Sequence, residues 1–397
     1  MRFFEMLIAT LLFISTAASA NDLFPIGSEN KGRAMESTVA SERGSAVLYN
    51  PANLTLTPGR RTYFEGGFAN VSYAYEHPSY DTVVINTKTP IFAAGYGGLL
   101  IGDWYFGGVF LPTKGGSMEI PGVPRDVSGT VVPVSVKTSD LGLKTALGLS
   151  RKFSRGFRLG VSLIHQYDKK TLSANVVGNP QEVIAYDVYS HVITPKLGWR
   201  GQWDHFAAGM TYAPEIKKDF DGAYVSATDP NNTDIPLKEY SPAVFATGAT
   251  VTAGGASLGL EYQKAQWSKG REYYNNGQGT ASEADLNDTS SYGVNLSYDT
   301  GRKLTFVGGY ASDPTPWGDG RGVEGEASVT GVDFGTLNGM DRSCFAIGSR
   351  FVATPESRID VSLFRAQGKR ETDAEASVEG RFEMAITAAT ATFSQQF

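Results

Sequence analysis

Four histidines, His77, His165, His191 and His205, and an abundance of serines are the side chains from which a hydrolytic site would have to be built here. A serine nucleophile needs an imidazole base that is itself oriented by a carboxylate. No nucleophile elbow of the Gly-x-Ser-x-Gly type is expected, and no His-Glu-x-x-His occurs. The acidic loop Asp229-Pro230-Asn231-Asn232-Thr233-Asp234 lacks the central glycine and closing glutamate of an EF-hand. Cys344 is the only cysteine, so no intrachain disulfide can form, and it is expected to be a small buried apolar residue. The chain therefore reads as a non-enzyme without metal or cofactor. The remaining chemistry is electrostatic: Lys144, Lys196 and Arg350 can neutralise a carboxylate if the fold keeps them away from lipid.

The elements that must position those cations are strands. Along Phe157-Arg158-Leu159-Gly160-Val161-Ser162-Leu163-Ile164 one face carries Phe, Leu, Val and Leu, while the other carries Arg, Gly, Ser and Ile. That alternation is a strand with one greasy face. It recurs at 257–262, 293–298 and 358–363, and helical spacing is nowhere sustained. No run of about 18 apolar residues follows the N-terminus, so no transmembrane helix is expected. Short turns at 102–103, 153–156, 202–204, 254–255, 299–301 and 354–356 alternate with long polar connections near 113–137, 168–188, 217–240, 266–289, 313–338 and 367–380. Short turns on one side and long loops on the other are the pattern of a transmembrane β-barrel, and counting from Tyr63 gives about fourteen strands. With greasy faces toward lipid, Lys144, Arg158, Lys196, Arg200 and Arg350 point inward. Arg158 and Arg200 lie beside short turns, which leaves Lys144, Lys196 and Arg350 better placed to meet a ligand. Trp104, Trp203 and Trp267 read as interfacial girdle residues.

The N-terminus divides the chain. Arg2, the apolar run Met6–Ile14 and the small residues Ala18-Ser19-Ala20 read as a signal peptide over 1–20. The net charge of −6 survives its removal, since it carries one Arg and one Glu, and nothing points to nucleic acid as a partner. Residues 61–397 form the expected barrel, ending in Phe397 with Phe393, Ala391 and Ala389 on the same face, as barrel-assembly machinery commonly reads. Residues 21–60 are not needed to span a membrane, so they are assigned to a hatch, or plug, inside the lumen.

The segments Gly32-Arg33-Ala34 to Ser45-Ala46-Val47-Leu48-Tyr49-Asn50-Pro51-Ala52, Ile101-Gly102-Asp103-Trp104-Tyr105-Phe106-Gly107-Gly108-Val109-Phe110-Leu111-Pro112, Met210-Thr211-Tyr212 with Phe220-Asp221-Gly222, Leu260-Glu261-Tyr262 with Gln266-Trp267-Ser268, and Phe306–Ala311 with Asp313-Pro314-Thr315-Pro316 stand in a telling order. That order resembles the FadL/TodX (OmpP1) family of outer-membrane transporters for long-chain fatty acids and other hydrophobic compounds. Departures from the family pattern fall at Asn53, Glu36-Ser37 and Ser41-Glu42.

The resemblance implies passive uptake across a bacterial (Gram-negative) outer membrane, with capture at outer loops, passage to a lumen site and lateral exit through a gap in the wall. Gly107 and Gly108 of the third strand would let it bend and break its ladder. Asn50, Pro51 and Ala52 would meet that strand, and Phe106, Val109 and Phe110 would contact the ligand. The implied partners are a fatty acid or aromatic hydrocarbon, outer-membrane lipid and lipopolysaccharide, and the assembly machinery at Phe397, with the protein a monomer. The competing readings are a polar-solute porin, a structural barrel, or an outer-membrane lipase or protease. The hatch and the inward Ile164 and Phe364 argue against an open polar pore.

Overall fold

The structure, a computed structural model, describes residues 34, 38–41, 43–57 and 59–397, apart from 78–79, 128–129, 155, 177–181, 227–237, 271–285, 317–339 and 373–379. The proposed signal peptide, Gly32-Arg33, Glu36-Ser37, Glu42 and the acidic loop 229–234 lie outside the described residues. Among the described residues no helix is long and apolar enough to cross a membrane.

Six long strands come first: β1 (Arg60–His77), β2 (Tyr80–Ile101), β3 (Trp104–Val127), β4 (Thr130–Lys152), β5 (Phe157–Val176) and β6 (Glu182–Gln202). Shorter ones follow: β7 (Phe206–Ala213), β8 (Ile216–Asp219), β9 (Asp221–Ser226), β10 (Lys238–Ser241), β11 (Ala243–Ala253), β12 (Ala256–Gln266), β13 (Thr289–Asp299), β14 (Leu304–Asp313), β15 (Asp341–Val352), β16 (Ser357–Thr372) and β17 (Gly380–Gln396). β1–β7 and β11–β17 form a closed antiparallel barrel of 14 strands. Each pairs with its chain neighbour, β11 pairs with β7, and β1 zips against β17 from Arg61↔Gln396 to Glu76↔Arg381. The Phe397 N–H completes that seam by donating to the Arg60 carbonyl at 2.9 Å. β9 extends the edge of β6, and β8 pairs with β10 in a small separate sheet.

The alternation in sequence becomes the two faces of the wall. Phe157, Leu159, Val161 and Leu163 are exposed, whereas Arg158 and Ser162 are buried. Around the exterior, Phe68, Leu147, Ile193, Leu260, Ile347 and Leu363 are all more than half exposed. A closed sheet with so much exposed apolar surface is at home in hydrocarbon, which a strand can cross only with its backbone paired.

All six expected short turns join consecutive barrel strands. Gly102, Gly254 and Gly301 sit there at φ of 55, 59 and 71°, where a side chain would be strained. The expected long loops differ. Residues 113–137 and 168–188 are mostly strand, because β3 and β4 run on to Val127 and Thr130, and β5 and β6 to Val176 and Glu182. A hairpin that rises clear of the membrane has no lipid-facing side, so its sequence loses the alternation that marks a strand.

The excursion β8–β10 is held by buried charge. Lys218 Nζ donates to Asp168 Oδ2 of β5 at 2.7 Å and approaches Glu239 Oε2 of β10 at 3.4 Å, while Lys170 Nζ also bonds Glu239. All four side chains are at most 2% exposed. Glu239→Gln removes the buried carboxylate that both ammonium groups approach and is expected to destabilise the barrel by about 3–5 kcal/mol. Thermal unfolding in detergent measures this, and Lys170→Met with Glu239→Leu should recover most of the loss.

Candidate functional site

Residues 38–41 and 43–56 lie as short turns against the inner wall. A single α-helical turn, Ala46–Tyr49, is followed by a 3-10 stretch, Pro51–Leu56. Asn50 links them: its Oδ1 accepts from Ala52 N at 3.1 Å, and its Nδ2 donates to the Thr38 carbonyl at 2.7 Å and to the Trp199 carbonyl of β6 at 2.9 Å. Pro51 opens the 3-10 turn, where no N–H is required of it. Asn53, a departure from the family pattern, donates to Thr38 O and Ser41 Oγ at 3.2 and 2.9 Å. Further anchors come from the wall. Thr38 N and Oγ1 donate to the Glu261 carboxylate of β12, Arg200 donates to Val39 O, and Lys196 Nζ donates to Leu48 O at 2.6 Å.

The wall facing this segment is glycine. A methyl built on Gly107 would overlap Leu54, on Gly160 the backbone of Pro51 and Ala52, on Gly198 Asn50 Oδ1, and on Gly209 the Thr38 carbonyl. Gly148 and Gly248 continue the belt against Val47 and Thr38 Oγ1. Between these contacts, Ala46, Val47, Leu48, Tyr49 and Leu54 pack with Tyr63, Ala93, Val109, Leu111 and Ala146 of the wall. The sequence showed Gly107; it did not show the belt, whose partners lie more than fifty residues apart.

Opposite the segment the inner wall is apolar. Register aligns Ala311, Cys344, Ala366, Ile386 and Val71 in one row across β14, β15, β16, β17 and β1. Ala346, Phe364, Ala388 and Ala69 form the row below. All nine belong to one buried cluster or pack against it, and Trp267 and Met340 close over the cluster. Trp267 is thus an inward residue, 3% exposed, whereas Trp104 and Trp203 lie on the outside. Cys344 is buried, as its setting in the sequence suggested. Toward the short turns the lining becomes polar, in the row Arg350, Asp360, Thr392 and Glu65.

The candidate residues separate by face. Gly107 and Val109 point inward, and Val109 touches the segment's cluster. Gly108 faces Leu147 on the outside, and Phe110 is 41% exposed with its ring 6.4 Å from Phe92. Phe106 shares that outer parity, its ring 6.4 Å from Tyr96. The parity was legible, since Trp104 marks the outer face. Lys196 holds the segment's backbone, Arg350 Nε donates to Asp360 at 2.8 Å, and Lys144 stands half-buried on the parity of Ala146.

β3 keeps its ladder through the glycine pair: Gly107 opposes both Gly97 and Gly148, and Gly108 opposes Tyr96 and Leu147. The break comes later. Pairing with β2 stops at Ala94↔Phe110, although β2 starts at Tyr80 and β3 runs to Val127. A bulge at Pro112/Lys114 sits just past that point in the β3–β4 ladder. Pro112, two residues past that point, lacks the N–H a ladder would use.

One Gly-x-Ser-x-Gly spacing does occur, Gly255-Ala256-Ser257-Leu258-Gly259. It lies in the β11–β12 hairpin, where Ser257 Oγ meets Thr252 Oγ1 at 2.9 Å. A nucleophile elbow is a strand-to-helix turn, and this is not one.

No family model and no curated protein matches the sequence. Solved structures share its architecture. A Pseudomonas aeruginosa FadL homologue is 16% identical, over 96% of this chain and 98% of its own, with a TM-score of 0.61. The P. putida toluene transporter TodX is 12% identical, over 93% and 99%, at 0.65. The Ralstonia pickettii toluene transporter TbuX is 15% identical, over 93% and 98%, at 0.61. At these identities the likeness is one of fold: the chain has the architecture of the FadL and TodX barrels.

Proposed function

We propose that this barrel is an outer-membrane channel for passive uptake of hydrophobic small molecules. The N-terminal segment 21–60 acts as its hatch, and the ligand leaves sideways through the wall. The observation that carries the reading is the apolar inner wall on β14–β17 and β1, which would give an ion or sugar nothing to bond. The hydrocarbon transporters of the same fold support it. The open seam between β2 and β3 supports the lateral route, because unpaired strand edges at membrane depth are tolerated only where they line a cavity. Fatty acids and aromatic hydrocarbons both suit such a wall.

Ile386→Asn tests the reading by placing an unpaired amide in the middle of the apolar row. Uptake of labelled oleate or toluene by cells should fall on the order of tenfold, the equivalent of about 1.4 kcal/mol and the low end of the cost of an unpaired buried amide. Heat-modifiable gel mobility should report an intact barrel. Unchanged uptake, or a large steady current from the intact protein in planar bilayers, would turn the assignment toward a polar-solute porin.

A further inference from the structure

The outer face of the wall changes character along one row. Register aligns Tyr310, Phe345, Arg365, Thr387, Asn70 and Lys88 across β14, β15, β16, β17, β1 and β2. All six are exposed, on the outward parity of their strands. The next outward row toward the short turns is apolar, and its Ile347, Leu363 and Phe68 are more than half exposed. The next row toward the long connections is polar apart from Ala385, with Ser343, Gln367, Ser72 and Asn86. Arg365 and Lys88 therefore stand where hydrocarbon gives way to head groups. The Tyr310 and Phe345 rings, 5.0 Å apart, end the row as girdle residues do. In a barrel whose short turns face the periplasm, this level belongs to the outer leaflet.

The two cations are spaced for one ligand. Three strand steps of about 5 Å separate β16 from β2, so Arg365 and Lys88 lie about 15 Å apart along the row. Thr387 and Asn70 stand between them with a hydroxyl and an amide. Among the described residues neither cation has an ion pair. The carboxylates of Asp341 and Glu383 lie two outward rows higher, opposite Lys369, and Glu383 also pairs with Arg381. Arg151, an outward cation at the opposite rim, is instead covered by the rings of Trp104 and Phe153.

We infer that this row binds the phosphorylated disaccharide head group of an outer-leaflet glycolipid of the lipopolysaccharide type. One phosphate meets Arg365 and the other Lys88, and the acyl chains run down over Ile347, Leu363 and Phe68. A guanidinium offers a phosphate two parallel bonds and an ammonium a point charge. The hydroxyl and amide between them suit sugar hydroxyls, and a disaccharide with a phosphate at each end matches the spacing. A phospholipid has one phosphate and would engage one cation. The inference rests on the barrel standing in an outer membrane and is independent of what crosses the lumen.

The test titrates the purified full-length barrel in detergent with diphosphoryl lipid A, phosphatidylglycerol and inorganic phosphate, reading binding by native mass spectrometry. Arg365→Gln and Lys88→Gln should each weaken lipid A binding about fivefold. The double variant should lose more than either, and Arg365→Lys should regain part of the loss. Arg151→Gln should bind as the native protein does, and heat-modifiable gel mobility should report folded barrels throughout. Equal lipid A affinity in the double variant and the native protein would overturn the site. An equal loss in Arg151→Gln would overturn it too, since any outward cation would then serve. Displacement of lipid A by inorganic phosphate, or phosphatidylglycerol binding as tightly as lipid A, would refute the two-phosphate assignment. None of these outcomes touches uptake, so their failure leaves the transport reading standing.

Discussion

Gly198→Leu and Gly160→Leu are each expected to convert a silent barrel into one that carries a steady ionic current, at least about tenfold above the native protein in planar bilayers. Gly66→Leu should do nothing. The difference lies in what each side chain would meet. A Cβ at Gly198 overlaps Asn50 Oδ1 and crowds the Pro51 ring, and one at Gly160 overlaps the backbone of Pro51 and Ala52. At Gly160 the obstacle is backbone, and at Gly198 it is the rigid Pro51 ring and an Asn50 side chain pinned by three hydrogen bonds. Neither can step aside, so the segment must lift off the wall. Lifting it also removes the bonds from Asn50 to Trp199 O and from Ser150 to Ala52 O. At Gly66 nothing lies within 4 Å of the added Cβ. That position has the outer parity of Phe64 and Phe68, where leucine meets lipid. Gly198→Ala adds a smaller side chain against the same atoms and should give a smaller current than Gly198→Leu. If Gly66→Leu conducts as Gly198→Leu does, the current comes from a damaged wall and the hatch reading loses its support.

The sequence disclosed what the membrane imposes. Lipid demands an apolar residue at every second position of a spanning strand, so Phe157 to Leu163, the short turns and the strand count were legible. The same parity foretold that Lys196 and Arg350 would point inward, and it would have put Phe106 and Phe110 outside had it been applied from Trp104. What stayed hidden depends on partners distant in the chain. Lys196 serves the carbonyl of Leu48, a contact across 148 positions, and no local pattern encodes it. Gly198 looks like any small residue in a curved sheet until Asn50 is seen beneath it. The tall hairpins of β3–β4 and β5–β6 look like loops in the sequence because beyond the membrane neither face needs to be greasy.

Bridging β2 to β3 above the end of their ladder should abolish uptake of hydrophobic ligand, by at least about tenfold, and a reductant should restore it. Cysteines at Ala93 and Leu111 are the natural pair. They continue the register one step beyond Ala94↔Phe110, and both face inward into the cluster beside the segment. In a Cys344→Ala background, a short bifunctional thiosulfonate reagent can tie them reversibly. The ladder below that point is intact, so the bridge adds a constraint only where the strands part. A second pair at Leu258 and Leu296, already opposed in the unbroken β12–β13 ladder and exposed on the outer face, controls for the chemistry. Bridging there should leave uptake unchanged. The physical basis is the cost of leaving strand edges unpaired at membrane depth, several kcal/mol for each exposed group. A barrel that only needed to be closed would have zipped this seam as it zips β1 to β17 over the whole height of the wall. If uptake survives the bridge across β2 and β3, the ligand does not leave by this seam, and the unpaired edges must serve the hairpins above the membrane instead.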